Sequence, residues 1–95
     1  MIDIKIAQEI VAVCEKILPD AKIYLFGSYA QNNAKQSSDI DILVDMGARI
    51  SFKHLGLLKL ELEESNLNQF VDISDRNSIS DDFFNQIKSD LIRIN

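Results

Sequence analysis

The chain has 95 residues, of which 46% are hydrophobic and 26% charged, a composition that is typical of a globular protein and argues against a disordered or membrane protein. Ten Lys and Arg residues against fifteen Asp and Glu residues give a net charge of −5. The long-range field of the protein therefore repels nucleic acid and excludes a direct, unaided grip on DNA or RNA. A chain of this length holds one core, and we expect a single domain over residues 1–95.

Two features of the sequence bear on where the protein resides. The uninterrupted apolar runs are much shorter than the roughly 20 residues that a transmembrane helix needs, so no membrane association is expected. Cys14 is the one cysteine, without a partner for an internal disulfide, and no apolar leader precedes the first element. We therefore expect a cytoplasmic protein with Cys14 packed in its core.

The first half of the chain predicts a helix followed by two strands. Apolar residues recur every three or four positions over residues 4–18, behind Asp3 as a candidate N-cap, which is the pattern of an amphipathic helix. Residues 22–26 form a short apolar run that predicts a buried strand and ends at a glycine. After a polar loop that includes Ser37, residues 39–45 predict a second strand.

The second half of the chain predicts a long helix, a third strand and a last helix. The long helix covers residues 51–64, the strand covers residues 70–74, and Ser80 or Asp81 caps the last helix. The apolar stripes of the two helices are Phe52, Leu55, Leu58 and Leu62 in the first and Phe83, Phe84, Ile87 and Leu91 in the second. The order α-β-(α)-β-α-β-α, with a short helix after the first strand, predicts an α+β fold in which a small mixed sheet packs with helices.

Leu57 and Leu60 lie beside the apolar stripe of the long helix and widen its apolar face. We expect both side chains to pack inside the protein. The alternative is a surface that a partner covers, since small proteins commonly bury exposed apolar side chains in a complex.

Asp39 and Asp41 lie at the start of the second predicted strand. Because side chains alternate along a strand, both point to one face, with Cα atoms roughly 6.6 Å apart. Two neighbouring carboxylates repel each other and need a compensating charge, solvent or a cation. Mg²⁺ fits this need, since it binds one or two carboxylates together with substrate phosphates. The alternative is that Asp39 ends a turn and Asp41 faces water.

Gly27 and Ser28 directly follow the first strand. Glycine lets a ligand approach the backbone closely, and Ser28 can cap the short helix that follows. The free N–H groups at such a helix start favour phosphate, and a serine hydroxyl adds a donor. Taken alone, the pair is weaker evidence than the two acids, and it favours a simple tight turn over a phosphate site.

The segment LFGSYAQNNAKQSSDIDILVD combines the two features, with ten residues between Ser28 and Asp39. It resembles the GS-x₁₀-DxD signature of the polymerase β-like nucleotidyltransferases. Over nearly its whole length the chain is similar, more narrowly, to the minimal nucleotidyltransferase (MNT) family, which includes the MntA-like antitoxins. The resemblance implies the polymerase β-like fold and a third carboxylate, which falls on Asp72 in the motif FVDIS. The alternative for Asp72 is an exposed strand residue without a role.

The resemblance also implies an activity, the transfer of AMP from ATP to a protein hydroxyl with Mg²⁺, or Mn²⁺, as cofactor. In this interpretation Asp39, Asp41 and Asp72 are the catalytic residues and the metal ligands, with Asp72 as ligand or base. Gly27 and Ser28 bind the nucleotide. The implied acceptor is a tyrosine of a helical HEPN-type toxin, and the nucleotidyltransferase acts as the antitoxin.

Two residues depart from the pattern of the family, whose members often read GSxARG. Gln31 stands in place of the arginine and brings no positive charge toward a triphosphate. Asn32 stands in place of the glycine, although Asn tolerates the left-handed backbone. These differences favour an alternative function, an inert antitoxin that keeps the fold and blocks its partner by contact. The three intact acids favour the enzyme.

Overall fold

A computed structural model describes residues 2–35 and 38–95, and the predicted loop residue Ser37 lies outside these ranges. The elements are, in chain order, α1 (Ile4–Ile17), β1 (Lys22–Phe26), α2 (Gly27–Ala30), β2 (Ile40–Asp45), α3 (Phe52–Glu63), β3 (Val71–Asp75), α4 (Asp81–Ile87), a 3-10 helix (Lys88–Asp90) and β4 (Ile92–Arg93). This arrangement confirms the predicted α+β class. Within the described ranges, no helix is long and apolar enough to cross a membrane.

Each of the three longer helices begins at a polar N-cap, and two of these, Asp3 and Ser80, are candidates named from the sequence. The Asp3 side chain accepts a hydrogen bond from the backbone N–H two residues further on, at 2.7 Å. Ser51 and Ser80 each accept from the N–H three residues further on, at 3.1 Å. Each cap satisfies a backbone donor that the first turn of its helix leaves unpaired.

The four strands form one mixed sheet in the order β3-β2-β1-β4. β1 pairs antiparallel with both β2 and β4, whereas β3 runs parallel to β2. In this register Asp41 on β2 lies opposite Phe26, the last residue of β1, and opposite Asp72 on β3. The sheet therefore brings the end of β1 and the acidic starts of β2 and β3 together.

The main core lies between the sheet and helices α1 and α3. Its fully buried side chains are Ile10 and Cys14 on α1, Ile23 and Leu25 on β1, Ile40, Ile42 and Val44 on β2, and Leu58 on α3. Burial raises the pKa of the Cys14 thiol to about 12, and the Glu15 charge adds to the rise. A thiol with so high a pKa is unreactive, so Cys14 is a core residue, as predicted.

The opposite face of the sheet carries a smaller apolar cluster. Leu43 on β2 is 1% exposed, and Phe26 at the end of β1 is buried. The Phe83 ring of α4 meets the Phe26 ring edge to face, with ring centroids 5.9 Å apart. Because side chains alternate along β2, Asp41 lies on this same face. The acid-bearing face of the sheet is thus held to α4 by aromatic contact.

The outer face of α3 differs from the prediction. Leu57 and Leu60 are 41% and 49% exposed, and Phe52, which the sequence places on the buried stripe, is 93% exposed. The expectation that Leu57 and Leu60 pack inside is therefore wrong. Each helical residue turns the side-chain direction by roughly 100°, so these two positions point away from the buried Leu58. A surface covered by a partner is the alternative that remains for them.

The C-terminal part of the chain also differs from the prediction. α4 ends at Ile87, and Leu91 lies beyond the 3-10 helix instead of on one continuous helix. β4 then pairs with the outer edge of β1, and the Ile94 N–H donates to the Ile23 carbonyl at 2.9 Å. A two-residue strand has no periodicity of its own, so only its pairing partner defines it.

Candidate active site

Gly27 forms the junction between β1 and α2. Its φ of +73° lies in the left-handed region, which favours glycine. A Cβ atom on this residue would collide with Oδ2 of Asp41 and would lie 3.0 Å from Cγ of Asp41. The absence of a side chain at Gly27 is therefore what gives the Asp41 carboxylate its place beside the turn.

Ser28 is the second residue of α2 and not its cap. The N-cap position belongs to Phe26, and no side chain caps this helix. The Ser28 carbonyl accepts from the Asn33 N–H at 3.0 Å. The prediction that Ser28 caps the short helix is therefore wrong, because the helix begins at Gly27, one residue before Ser28. Its role as a nucleotide contact stays a prediction.

Asp41 is the acid of the site that the surrounding protein shields most from solvent. Its side chain is half-buried, and burial raises the pKa of its carboxyl above the ordinary value. Repulsion by Asp72, its register partner on β3, adds to the rise, and repulsion by Asp39 adds less. Asp39 and Asp72 are themselves exposed. The structure thus places the three predicted acids close enough for their charges to interact.

The donor chemistry of these acids fits a hard divalent cation. All three offer carboxylate oxygens, and within residues 2–35 and 38–95 none of the three side chains makes a hydrogen bond or ion pair that would offset its charge. Across those residues, however, no group of three or more His, Cys, Asp or Glu side chains is gathered tightly enough to hold a metal ion. Ligation by Asp39, Asp41 and Asp72 therefore stays a prediction, which requires the three side chains to move closer together.

Gln31 and Asn32, the two departures from the family pattern, end α2. Asn32 has a φ of +60°, in the left-handed region that we expected asparagine to tolerate there. The Gln31 side-chain amide donates to Oδ2 of Asp90 at 3.1 Å. Asp90 has no predicted role, because residues 31 and 90 are too far apart in the sequence for a local pattern to indicate their contact.

Tyr29 links α2 to the loops that precede the two acid-bearing strands. Its hydroxyl accepts from the Gln69 side chain at 3.4 Å and donates to the Lys35 carbonyl at 3.5 Å, both long bonds. Gln69 lines a cavity of about 310 Å³ beside β3, together with Lys59 and Asp72. This cavity therefore lies next to Asp72, one of the three acids.

Comparison with known proteins bears on the family and the fold of the chain. Residues 8–94 match the family described as polymerase beta, nucleotidyltransferase. A Methanocaldococcus jannaschii protein that bears the name protein adenylyltransferase is 53% identical over 55 residues. That match covers 58% of this chain and 58% of the relative, so the chain spans less than two thirds of the length of this relative.

Two solved structures resemble the fold closely. One chain of a toxin-antitoxin crystal structure with AMP-PNP superposes with a TM-score of 0.80 at 29% identity, and the match covers 93% of this chain and 71% of that one. The other is a complex of tri-AMPylated Shewanella oneidensis HEPN toxin with an MNT antitoxin, with a TM-score of 0.74 at 26% identity. That match covers 97% of this chain and 71% of the other.

Proposed function

The chain belongs to the polymerase β nucleotidyltransferase family, and from this premise we propose that it is a Mg²⁺-dependent enzyme that transfers AMP from ATP to a protein hydroxyl. The observation that carries the proposal is the position of the Asp41 carboxylate, which lies against Gly27 and is repelled by Asp72 and Asp39. Such a cluster is stabilised by a cation and triphosphate bound together. We further propose that residues 1–95 act as one domain.

Each residue of the site has a distinct role in this proposal. Asp39 and Asp41 hold the metal, and Gly27 and Ser28 bind the phosphates through backbone N–H groups and the serine hydroxyl. Bound Mg²⁺ supplies charge neutralisation for the triphosphate. The acceptor oxygen forms a bond to the α-phosphorus and pyrophosphate leaves. The hydroxyl proton passes to the Asp72 carboxylate where Asp72 is the base, and to solvent water where Asp72 is a third metal ligand.

The acceptor that we propose is a tyrosine of a helical HEPN-type toxin, with this protein as the antitoxin. Two observations support a protein acceptor. The net charge of −5 opposes binding of a polynucleotide, and a structural relative is an MNT antitoxin in complex with an AMPylated HEPN toxin. Both proteins would then act in the cytoplasm.

A second candidate is an inert antitoxin of the same fold that acts by contact alone. Gln31 favours it, because its neutral amide is bonded to Asp90 and brings no positive charge toward a triphosphate. The site geometry opposes it. A protein without catalysis has no need for a left-handed glycine that makes room for a repelled carboxylate.

Mass spectrometry of the partner separates the two candidates. We expect the purified protein, with ATP and Mg²⁺, to add the mass of AMP to a HEPN toxin, on a tyrosine that peptide mapping identifies. The double variant Asp39→Asn with Asp41→Asn should still bind the toxin but add nothing, because partner contact and metal binding use different groups. If the parent protein neutralises the toxin while leaving its mass unchanged, the inert antitoxin is correct.

A further inference from the structure

The C-terminal segment, residues 88–95, lies beside β1, the strand that Gly27 follows. β4 pairs antiparallel with β1, with Ile92 opposite Leu25 and Arg93 opposite Tyr24. Asp90 precedes this pairing by two residues and is half-buried. The pairing therefore delivers the Asp90 carboxylate to the end of α2, the helix that follows Gly27.

Asp90 contacts α2 through one side chain. Gln31 caps the C-terminus of α2, and its backbone N–H donates to the Gly27 carbonyl at 3.0 Å. Its side-chain amide donates to Oδ2 of Asp90 at 3.1 Å, and its side-chain oxygen accepts from Asn33 at 3.5 Å. Gln31 thus joins Gly27 on one side to the C-terminal segment on the other.

The far end of the same segment is held by a separate set of bonds. The Asn95 side chain donates to the Ala21 carbonyl at 2.7 Å and accepts from the Ile23 N–H at 2.9 Å. These bonds secure the start of β1, away from α2. The contacts of Asn95 therefore hold the segment in place independently of Asp90.

We propose that Asp90 is a positioning residue for nucleotide binding, which it serves by holding Gln31 and thereby the turn at Gly27 and Ser28. The inference rests on the proposed function, because it assigns to Asp90 the support of the phosphate-binding turn. The four-residue α2 has few bonds of its own, so a charge-assisted bond at its end limits its movement. Asp90 acts through Gln31 and does not contact the nucleotide.

Kinetics of AMP transfer and calorimetry of ATP binding test the role. Asp90→Ala removes the acceptor, and we expect KM and Kd for ATP to rise about three- to tenfold, the effect of one lost hydrogen bond. We expect kcat to change less than about twofold, since the reacting groups are untouched. Asp90→Asn keeps a carbonyl acceptor but loses the charge, so we expect a smaller rise in KM and Kd than in Asp90→Ala, of about two- to threefold.

A reversed pair provides a rescue. Gln31→Glu alone places two carboxylates together and should raise KM as Asp90→Ala does. Adding Asp90→Asn to that variant places a donor opposite an acceptor again. The pair then has the same net charge as in the parent protein. We expect KM to return toward the parent value. A role in folding alone would move the melting temperature of these variants without this pattern in KM.

Asn95→Ala is the matched control, because it cuts the other attachment of the same segment. We expect it to lower the melting temperature while raising KM less than twofold. The proposal is overturned if Asp90→Ala leaves KM and Kd unchanged, or if Asp90→Asn is as damaging as Asp90→Ala, in an active parent protein. A parent protein that neither binds ATP nor transfers AMP overturns the proposed function and the role of Asp90 together. An active parent protein with an unaffected Asp90→Ala variant overturns the role of Asp90 alone.

Discussion

The two faces of β2 differ in the side chains that they carry: one face packs into the main core, and the other carries the Asp41 carboxylate. On one face Ile40, Ile42 and Val44 are fully buried against α1 and α3. On the other face Asp41 is half-buried, carries a raised pKa, and makes no offsetting ion pair within residues 2–35 and 38–95. Burial of the apolar side chains stabilises the strand, and this stabilisation offsets the free-energy cost of the charged Asp41 carboxylate on the other face. Because side chains alternate along a strand, the residues that stabilise the fold are direct sequence neighbours of the residue that we propose to bind the metal.

Shortening a buried apolar side chain of β2 should have the largest effect on the stability of the protein. Ile42→Ala deletes a fully buried side chain from the centre of the sheet, and we expect the free energy of unfolding to fall by about 4 kcal/mol. Leu60→Ala removes a similar side chain from the exposed face of α3 and should change it by less than about 0.5 kcal/mol. Urea unfolding measures both. Equal losses in the two variants would mean that the burial pattern is wrong.

Filling the space beside Asp41 should have the next largest effect. Gly27→Ala adds a methyl group against the Asp41 carboxylate at a left-handed position, and should cost about 2–4 kcal/mol. Gly47 has a similar φ of +76° with nothing within 4 Å of an added Cβ, so Gly47→Ala should cost about 1 kcal/mol. The difference between the variants isolates the collision, and adding Asp41→Ala to Gly27→Ala should shrink it. If the two glycine variants unfold alike, Asp41 does not occupy that space.

Removing the charge of Asp41, which burial and the neighbouring acids disfavour, should have a smaller effect on stability, and this effect depends on pH. Because folding raises the pKa of Asp41, its contribution to stability is complete at low pH and is lost as the pH rises through its folded pKa. Asp41→Asn cannot ionise, so its free energy of unfolding should gain on that of the parent protein between about pH 4 and pH 7. Urea unfolding across this range measures the gain. Asp39→Asn changes an exposed side chain and should alter the free energy of unfolding by less than about 0.5 kcal/mol.

The sequence predicted those parts of the molecule that depend on local chemistry. Asp3 and Ser80, both predicted as candidate caps, are caps because their side chains bond to backbone groups two or three residues away. β1 and β2 follow from short apolar runs bounded by polar or glycine residues. The sequence likewise singled out Gly27 and Asp41, although only their spacing, and not their contact, was visible there.

The parts that the sequence did not predict depend on tertiary partners. β4 exists because β1 has a free edge, and Asp90 meets Gln31 only once that edge is paired. The exposure of Leu60 depends on which side of α3 faces the sheet, which a helix with apolar residues around much of its surface leaves undecided. Such contacts join residues far apart in the chain and leave no local pattern.

Thermal unfolding with Mg²⁺ and ATP tests most directly whether the acidic face of β2 is a cation and nucleotide site. Ligands that bind only the folded protein stabilise it, so saturating Mg²⁺ with ATP should raise the melting temperature of the parent protein by about 5 °C or more. Asp41→Asn should lose that rise, because it removes the carboxylate at the centre of the cluster. An equal rise in Asp41→Asn and the parent protein, or none in either, would contradict the account.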